Sequence, residues 1–260
     1  DEKRNFVKIM NPLGEETSVM RTTLIPNMLD VISTNISHKV EEVSAFECGN
    51  TFIPQEGLPI ETKKYCVGMY GKEVDFFVLK GVIESVLNNV GLKGYEIEPE
   101  TTNLTFHPGR CAKIVYNNIY IGTFGELHPD VIENYNLGQR VYVAEINIDT
   151  VFENLNLTKS YNPLPKYPST SRDIALIVKD EVFVKQIEDI IKANGEDLVE
   201  SYKLFDVYKG AQIEEGHKSI AYSITYRSKD KTLTDEDVAK VHEKILSELS
   251  EKLNANLRSN

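Results

Sequence analysis

Two sets of residues carry side chains able to do chemistry. The first lies between positions 169 and 227: Lys203, Phe205 and Tyr208 in one alternating run, Lys218, Tyr222, Tyr226 and Arg227 in the next, with Ser169 and Arg172 a little before them. Aromatic rings stack on unpaired bases, and ammonium and guanidinium groups hold phosphates, so this mixture on an exposed sheet face suits single-stranded nucleic acid. Strand alternation divides the set. Phe205 has the parity of Lys203, whereas Tyr208 has the opposite parity unless a bulge intervenes. Each ring is equally suited to a core, and Arg172 with Asp173 is equally suited to an ion pair at a sheet edge.

The second set is Arg21, His107 and Arg110. In His107-Pro108-Gly109-Arg110 the imidazole is a candidate base and the guanidinium a candidate anion clamp, which with Arg21 would make a small enzyme cleft in the first half of the chain. No Ser or Cys nucleophile is tied to these residues by motif. The competing reading is a tight turn set by Pro and Gly, with Arg110 paired to Glu126 or Glu47. His107 and His128 lack a third ligand at a metal-binding spacing, and Glu15-Glu16 and Glu41-Glu42 read as solvated faces. No catalytic residue and no metal site is expected.

The elements that must position the first set follow from periodicity. Arg172 to Val178 is a short apolar run rich in β-branched residues, read as a strand. Val182 to Ala193 places Val184, Ile187, Ile190 and Ile191 at helical spacing and stops at Asn194-Gly195. Leu198 to Lys209 and Lys218 to Arg227 both alternate, with a turn-rich loop from Gly210 to Gly216 between them. Thr234 caps a long helix, with Asp237 three residues on and Val238, Val241, Ile245, Leu249 and Leu253 in one stripe. Ala255 to Arg258 supplies a last short strand. The order is β-α-β-β-α-β, a ferredoxin-like arrangement with two helices on one face of an antiparallel sheet.

The first half reads as an antiparallel sheet flanked by helices. Leu24 to Ile36 and Asp75 to Asn89 are amphipathic. Val43 to Phe52 reads as two strand pieces joined at Gly49-Asn50. Further strands are expected at 64–70, 102–106, 111–116, 120–125 and 140–148, with Asn117-Asn118 as a hairpin turn. The fold class is α+β, with domains at 1–155 and 167–260 and a linker at 156–166, where Asn, Ser and two Pro interrupt periodicity.

Composition restricts function. The chain has 260 residues, 41% of them apolar, enough for two cores of ordinary size. No run of about 18 apolar residues exists, so no membrane span is expected. Cys48, Cys66 and Cys111 are odd in number and widely spaced, which suits reduced thiols in the cytoplasm. A start at DEKRNF with neither a signal-peptide core nor an initiating methionine is expected of a piece of a longer protein. With 29 basic and 40 acidic side chains the net charge is −11, and acidic residues outnumber basic ones on both sides of residue 160. Phosphate neutralisation supplies most non-specific affinity, so nucleic-acid binding must rest on a local patch within a larger assembly.

YPSTSRDIALIV, LFDVYKG, HKSIAYSITYRSKDKTLTDEDV and the terminal NANLRS together resemble the ferredoxin-fold anticodon-binding domain of bacterial phenylalanine-tRNA ligase β subunits. NPLGEETSVMRTTLIPNMLDVISTN, VSAFECGNTF, TFHPGR and GTFGELHP resemble the segment before it, a class II aminoacyl-tRNA synthetase-like fold that has lost its chemistry. The resemblance covers nearly the whole chain. It implies a ligase that uses ATP and magnesium as an α2β2 heterotetramer, with neither cofactor held in this fragment. A class II site also needs a glycine-rich G-x-G-x-x-R stretch, and none is present. The implied partners are the α subunit and tRNA-Phe. The implied tRNA contacts are Ser169, Arg172, Lys203, Phe205, Tyr208, Lys218, Tyr226 and Arg227. The implied subunit interface is the helix bearing Leu24, Met28 and Ile32, although the same stripe suits internal core. The family's OB-like, editing and magnesium-binding domains have no counterpart here. Two readings from other classes stay open: an enzyme of unknown specificity using Arg21, His107 and Arg110, and an interaction protein that makes no RNA contact.

Overall fold

A computed structural model describes the chain apart from residues 1–3, 159, 160, 162, 211, 259 and 260 and the side chain of Glu16. Part of the expected linker therefore lies outside the described residues. The chain divides into two compact units, Asp1–Ser160 and Tyr161–Asn260.

In the first unit, helix α1 (Ile25–Ser37) precedes the hairpin β1 (Val43–Ile53) and β2 (Ile60–Tyr70). Then come α2 (Phe76–Asn89), β3 (Glu96–Pro99), β4 (Phe106–Tyr116), β5 (Ile119–Leu127), α3 (Pro129–Asn134), β6 (Tyr142–Asn147) and α4 (Ile148–Glu153). The six strands form one antiparallel sheet in the order β1-β2-β6-β5-β4-β3. Alternation along the strands sends side chains to both faces. Val67, Met69, Ala144 and Ile146 pack with Leu79, Ile83 and Leu87 of α2, while Cys66, Tyr70 and Val143 pack with Met28, Leu29 and Ile32 of α1. The sheet is thus buried on both sides.

Two contacts seat α1. The buried Glu145 carboxylate accepts from the Leu24 N–H at 2.7 Å and from the Thr23 hydroxyl at 2.6 Å, satisfying donors at the helix entrance. Gly68 of β2 lets the helix lie flush, because a Cβ there would stand 2.6 Å from Met28 Cγ and 2.8 Å from Ile32 Cδ1. This corrects the interface expected at Leu24, Met28 and Ile32. All three are buried against the sheet of their own unit and offer nothing to a partner.

Other local expectations change for identifiable reasons. β1 is one unbroken strand, with Gly49 in register opposite Lys64 and its missing side chain leaving room for the Arg21 guanidinium. His107 to Arg110 lies inside β4, not in a tight turn. The ladder to β5 is irregular between Phe106 and Cys111, where Pro108 and Gly109 fall. The expected strand at 102–106 is replaced by β3, further upstream. The Asn117-Asn118 hairpin turn is present, with φ of 49° and 64° at the two residues.

The second unit contains β7 (Thr170–Lys179), α5 (Val184–Asn194), β8 (Val199–Tyr208), β9 (His217–Tyr226), α6 (Asp235–Leu253) and β10 (Asn256–Leu257). Its antiparallel sheet has the order β10-β7-β9-β8. Ile174, Leu176 and Val178 from β7 and Ile220, Tyr222, Ile224 and Tyr226 from β9 form one core with the buried stripes of α5 and α6. Each aliphatic of the α6 stripe contributes about 1.5–3 kcal/mol on burial. At the start of α6, Thr234 Oγ1 accepts from the Asp237 N–H, and the Asp237 carboxylate accepts from the Thr234 N–H. Hydrogen bonds from Lys231 and Thr234 hold that carboxyl down at about 2.

A Gly68→Val chain should lose about 1–3 kcal/mol of stability, since α1 has to lift off β2. A Gly81→Ala chain, whose new methyl group meets open space on α2, should gain about 0.5–1 kcal/mol from helix propensity. Urea unfolding midpoints of the two variants, which should move in opposite directions, check both.

Candidate functional site

The face of the second sheet away from α5 and α6 is read from strand register. On β9, Ile220, Tyr222, Ile224 and Tyr226 face the helices, so Ser219, Ala221, Ser223 and Thr225 face outward. Opposite them on β7 stand Ile177, Ala175, Asp173 and Ser171. On β8 they are Tyr208, Asp206, Lys203 and Ser201. The β8 ladder shifts between Leu204 and Asp206, leaving Phe205 as the extra residue of a bulge. The bulge resolves the parity conflict in the sequence, placing Lys203 and Tyr208 on the same outward face. Phe205 is about half exposed on the edge strand. Ser169 is exposed just before β7, and Ser171 and Thr225 share a hydroxyl contact of 3.2 Å.

Three residues expected on this face lie elsewhere. Tyr226 is wholly buried on the helix side, its hydroxyl 2.8 Å from His242 Nδ1, so it has no free ring face. Burial pushes its phenol up to about 12. Arg172, opposite Ile224, also takes the helix side, where it pairs with Asp235 at the start of α6 at 2.6 Å. Lys218 stands opposite the core residue Val178. Its ammonium donates to the Asp180 carbonyl at 2.9 Å, and burial lowers its pKa. A fourth, Arg227, is tied down by Glu200 at 2.9 Å and by the Tyr167 carbonyl at 2.6 Å, which anchors the entry into β7.

Salt bridges also set the charge of the face. A cation already paired to a carboxylate is poorly available to a phosphate. Lys209 pairs with Asp180 and Lys179 with Glu181. Lys203 and Arg258, by contrast, have no carboxylate partner among the described residues. Arg258 is the residue that sequence reasoning missed. It lies with its guanidinium carbon 5.7 Å from the centre of the Tyr208 ring. Its only sequence signal was the terminal NANLRS motif, which says nothing of where the side chain reaches.

The candidate cleft of the first unit does not assemble. Arg21 donates to Glu47 at 2.6 Å and to the Asn50 carbonyl at 2.9 Å, and lies over Gly49. Arg110 donates from Nη2 to the buried Glu126 at 2.9 Å. Its Nε stands 2.7 Å from the other carboxylate oxygen, off the hydrogen-bond line, with Arg140 a further 3.8 Å contact. His107 Nδ1 accepts from the Gly109 N–H at 3.0 Å, and His128 caps α3. Both arginines are committed to carboxylates, and no three His, Cys, Asp or Glu side chains are grouped to hold a metal among the described residues. These residues do not fit an ATP–magnesium complex. The buried thiols are inert as well: burial and nearby glutamates raise the pKa of Cys66 and push Cys111 up to about 12.

Residues 1–148 match the family described as the phenylalanyl tRNA synthetase beta chain CLM domain, and residues 165–258 match the ferredoxin-fold anticodon binding domain. The chain is 46% identical over 261 residues to the phenylalanine–tRNA ligase beta subunit of Clostridium tetani, an alignment covering 99% of this chain and 33% of that protein. The beta subunit of Clostridium acetobutylicum is likewise 46% identical, over 260 residues, with 99% and 33% covered. That of Symbiobacterium thermophilum is 36% identical over 272 residues, with 100% and 30% covered. The chain therefore spans about a third of the length of these relatives.

Arg110→Ala should lower stability by about 1–3 kcal/mol by leaving the buried Glu126 short of its partner. The double change Arg110→Met with Glu126→Met should come within about 1 kcal/mol of the parent. Thermal or urea unfolding of the three proteins reads the difference.

Proposed function

We propose a function from one premise: this chain belongs to the family of phenylalanyl-tRNA synthetase β chains. It is the part of a phenylalanine–tRNA ligase β subunit that supports the α subunit and recognises the anticodon region of tRNA-Phe. In this reading residues 1–155 are the supporting domain and 167–260 the anticodon-binding domain, joined at 156–166. The whole enzyme is a cytoplasmic α2β2 heterotetramer that attaches phenylalanine to tRNA at the expense of ATP with magnesium. No helix among the described residues is long and apolar enough to cross a membrane.

One observation carries the reading: the match to an anticodon-binding family falls on the unit whose sheet has a face free of helices. Lys203, Tyr208 and Arg258 belong to that face, neither cation has a carboxylate partner among the described residues, and Phe205 is half exposed at the bulge on its edge strand. Rings with free faces stack on unpaired bases, and unpaired cations hold the phosphates between them. The contacts proposed for RNA are Lys203, Phe205, Tyr208 and Arg258, with Ser169 at the margin. For the first unit, with both arginines committed, support of the α subunit is the remaining role. The surface offered is the outward side of α1, at Asn27, Asp30, Val31 and Thr34, which are exposed.

Fluorescence anisotropy with the tRNA-Phe anticodon stem-loop tests the second unit. Tyr208→Ala should cost about 1–3 kcal/mol of binding free energy, the worth of one base–aromatic stack. Lys203→Gln should reduce the salt slope by about 0.7, the value for one phosphate on a single strand. Lys218→Ala and Tyr226→Phe should leave binding unchanged. Equal losses in all four variants would count against the face. For the first unit, Val31→Asp should diminish co-purification with the α subunit without moving the unfolding midpoint; undiminished co-purification would exclude the outward side of α1.

A further inference from the structure

The outward face of the second sheet is not evenly open. Ser219 and Ala221 point away from the helices, yet they are only 4% and 8% exposed. The side chains placed to cover them come from opposite edges of the sheet. Tyr208 reaches in from the β8 edge, in the transverse row Tyr208, Ser219, Ile177 and Asn256. Its outer half rests on Gly210, where a Cβ would collide with the ring. Arg258 reaches in from the β10 edge, its backbone N–H donating to the Ala175 carbonyl at 2.9 Å, in the adjacent row with Ala221. The two side chains, from opposite edges of the sheet, meet each other. Arg258 Cζ stands 5.7 Å from the ring centre, and Nη2 donates to Gln212 Oε1 at 3.0 Å.

We propose that Tyr208 and Arg258 form a self-capping strap: the guanidinium holds the ring face on which an unstacked base is seated, and leaves it, with its Gln212 bond, when the base arrives. The inference rests on the reading of this face as an anticodon-loop surface. Guanidinium and base compete for one site because both are planar and both are drawn to the face of the ring. The exchange gives up a long cation–π contact for a base stack, so opening costs little. The anchor is also weak, since Gln212 offers a neutral carbonyl where a carboxylate would hold the guanidinium harder. Once released, Arg258 has no carboxylate to return to among the described residues and is free to pair with phosphate. Until then the strap keeps water and other chains off the ring and the Ser219–Ala221 floor. Because the closed form cannot seat a base, apparent affinity is reduced by the fraction of molecules that are closed.

The test measures association of the 260-residue chain with the tRNA-Phe anticodon stem-loop by stopped-flow fluorescence. Gln212→Ala removes the anchor, and Arg258→Lys keeps the charge but loses the planar guanidinium and its bond geometry to Gln212. Both should associate about two- to fivefold faster than the parent, the equilibrium factor of an exposed cation–π contact. In the free protein, the Arg258 Nε–H resonance should carry a ring-current shift that disappears in Tyr208→Leu and on saturation with the RNA. A shift that persists in the complex, or slower association in both variants, overturns the strap and makes Arg258 a fixed clamp while leaving the RNA surface intact. Failure of the parent chain to bind the stem-loop even at low salt overturns the anticodon reading, and the strap with it.

Discussion

The handedness of two connections governs what the second unit can do. The order β10-β7-β9-β8 makes β7 parallel to β8 and β9 parallel to β10, each pair being joined through a helix. The first crossover passes over β9 in one direction; the second passes over β7 in the other, starting from a strand that runs the opposite way. Both reversals together mean that two right-handed crossovers put α5 and α6 on the same face. One face is therefore packed, with Tyr222 and Tyr226 beneath the helices, and the other is left bare. The first unit lacks this asymmetry. Its sheet has α1 on one side and α2 on the other, so it offers edges and helix backs where the second unit offers a sheet surface.

Charge pairing explains how an acidic chain can present a site for an acidic ligand. Most cations around the second sheet are neutralised locally: Arg172 by Asp235, Lys209 by Asp180 and Arg227 by Glu200. What matters for a phosphate is the cation left over, and position decides that. On the bare face, Lys203 and Arg258 have no carboxylate partner among the described residues. Exposed pairs add little to stability, so their larger effect here is to restrict where an anion can settle. The same logic closes the first unit. Arg21 and Arg110 were the cations available for anchoring a nucleotide, and each is held by a glutamate of its own sheet. Glu145 of the same sheet is occupied with the N-terminus of α1.

Much of this was legible from residue order. The six elements of the second unit follow from period-2 and period-3.6 patterns and fall within a few residues of their expected ends. The Thr234 capping box and the Asn117-Asn118 hairpin turn are local chemistry that needs no tertiary information. The same holds for the shortage of catalytic motifs and for the acidic balance. The short helices α3 and α4 were not anticipated, being too brief for a period to show, and β3 was displaced because EIEP carries little apolar signal.

The sequence by itself determined which segments are strands and helices, because periodicity records which side of each element meets water. Tertiary structure decided which face each functional residue occupies. Parity within a strand is fixed by sequence only up to a bulge, and the bulge at Phe205 reverses it for Tyr208. Tyr226 and Lys218 carry the same side-chain chemistry as Tyr208 and Lys203, yet they lie on the helix side because they share the parity of Ile220, Tyr222 and Ile224, the β9 residues packed under α5 and α6. A similar rule assigns Leu24, Met28 and Ile32 to the core, since only the packed sheet reveals that Gly68 lets α1 come down onto it. Arg258 sits fifty residues from Tyr208 in the sequence and meets it from the opposite edge of the sheet, a long-range contact set by the strand order and invisible to any local pattern.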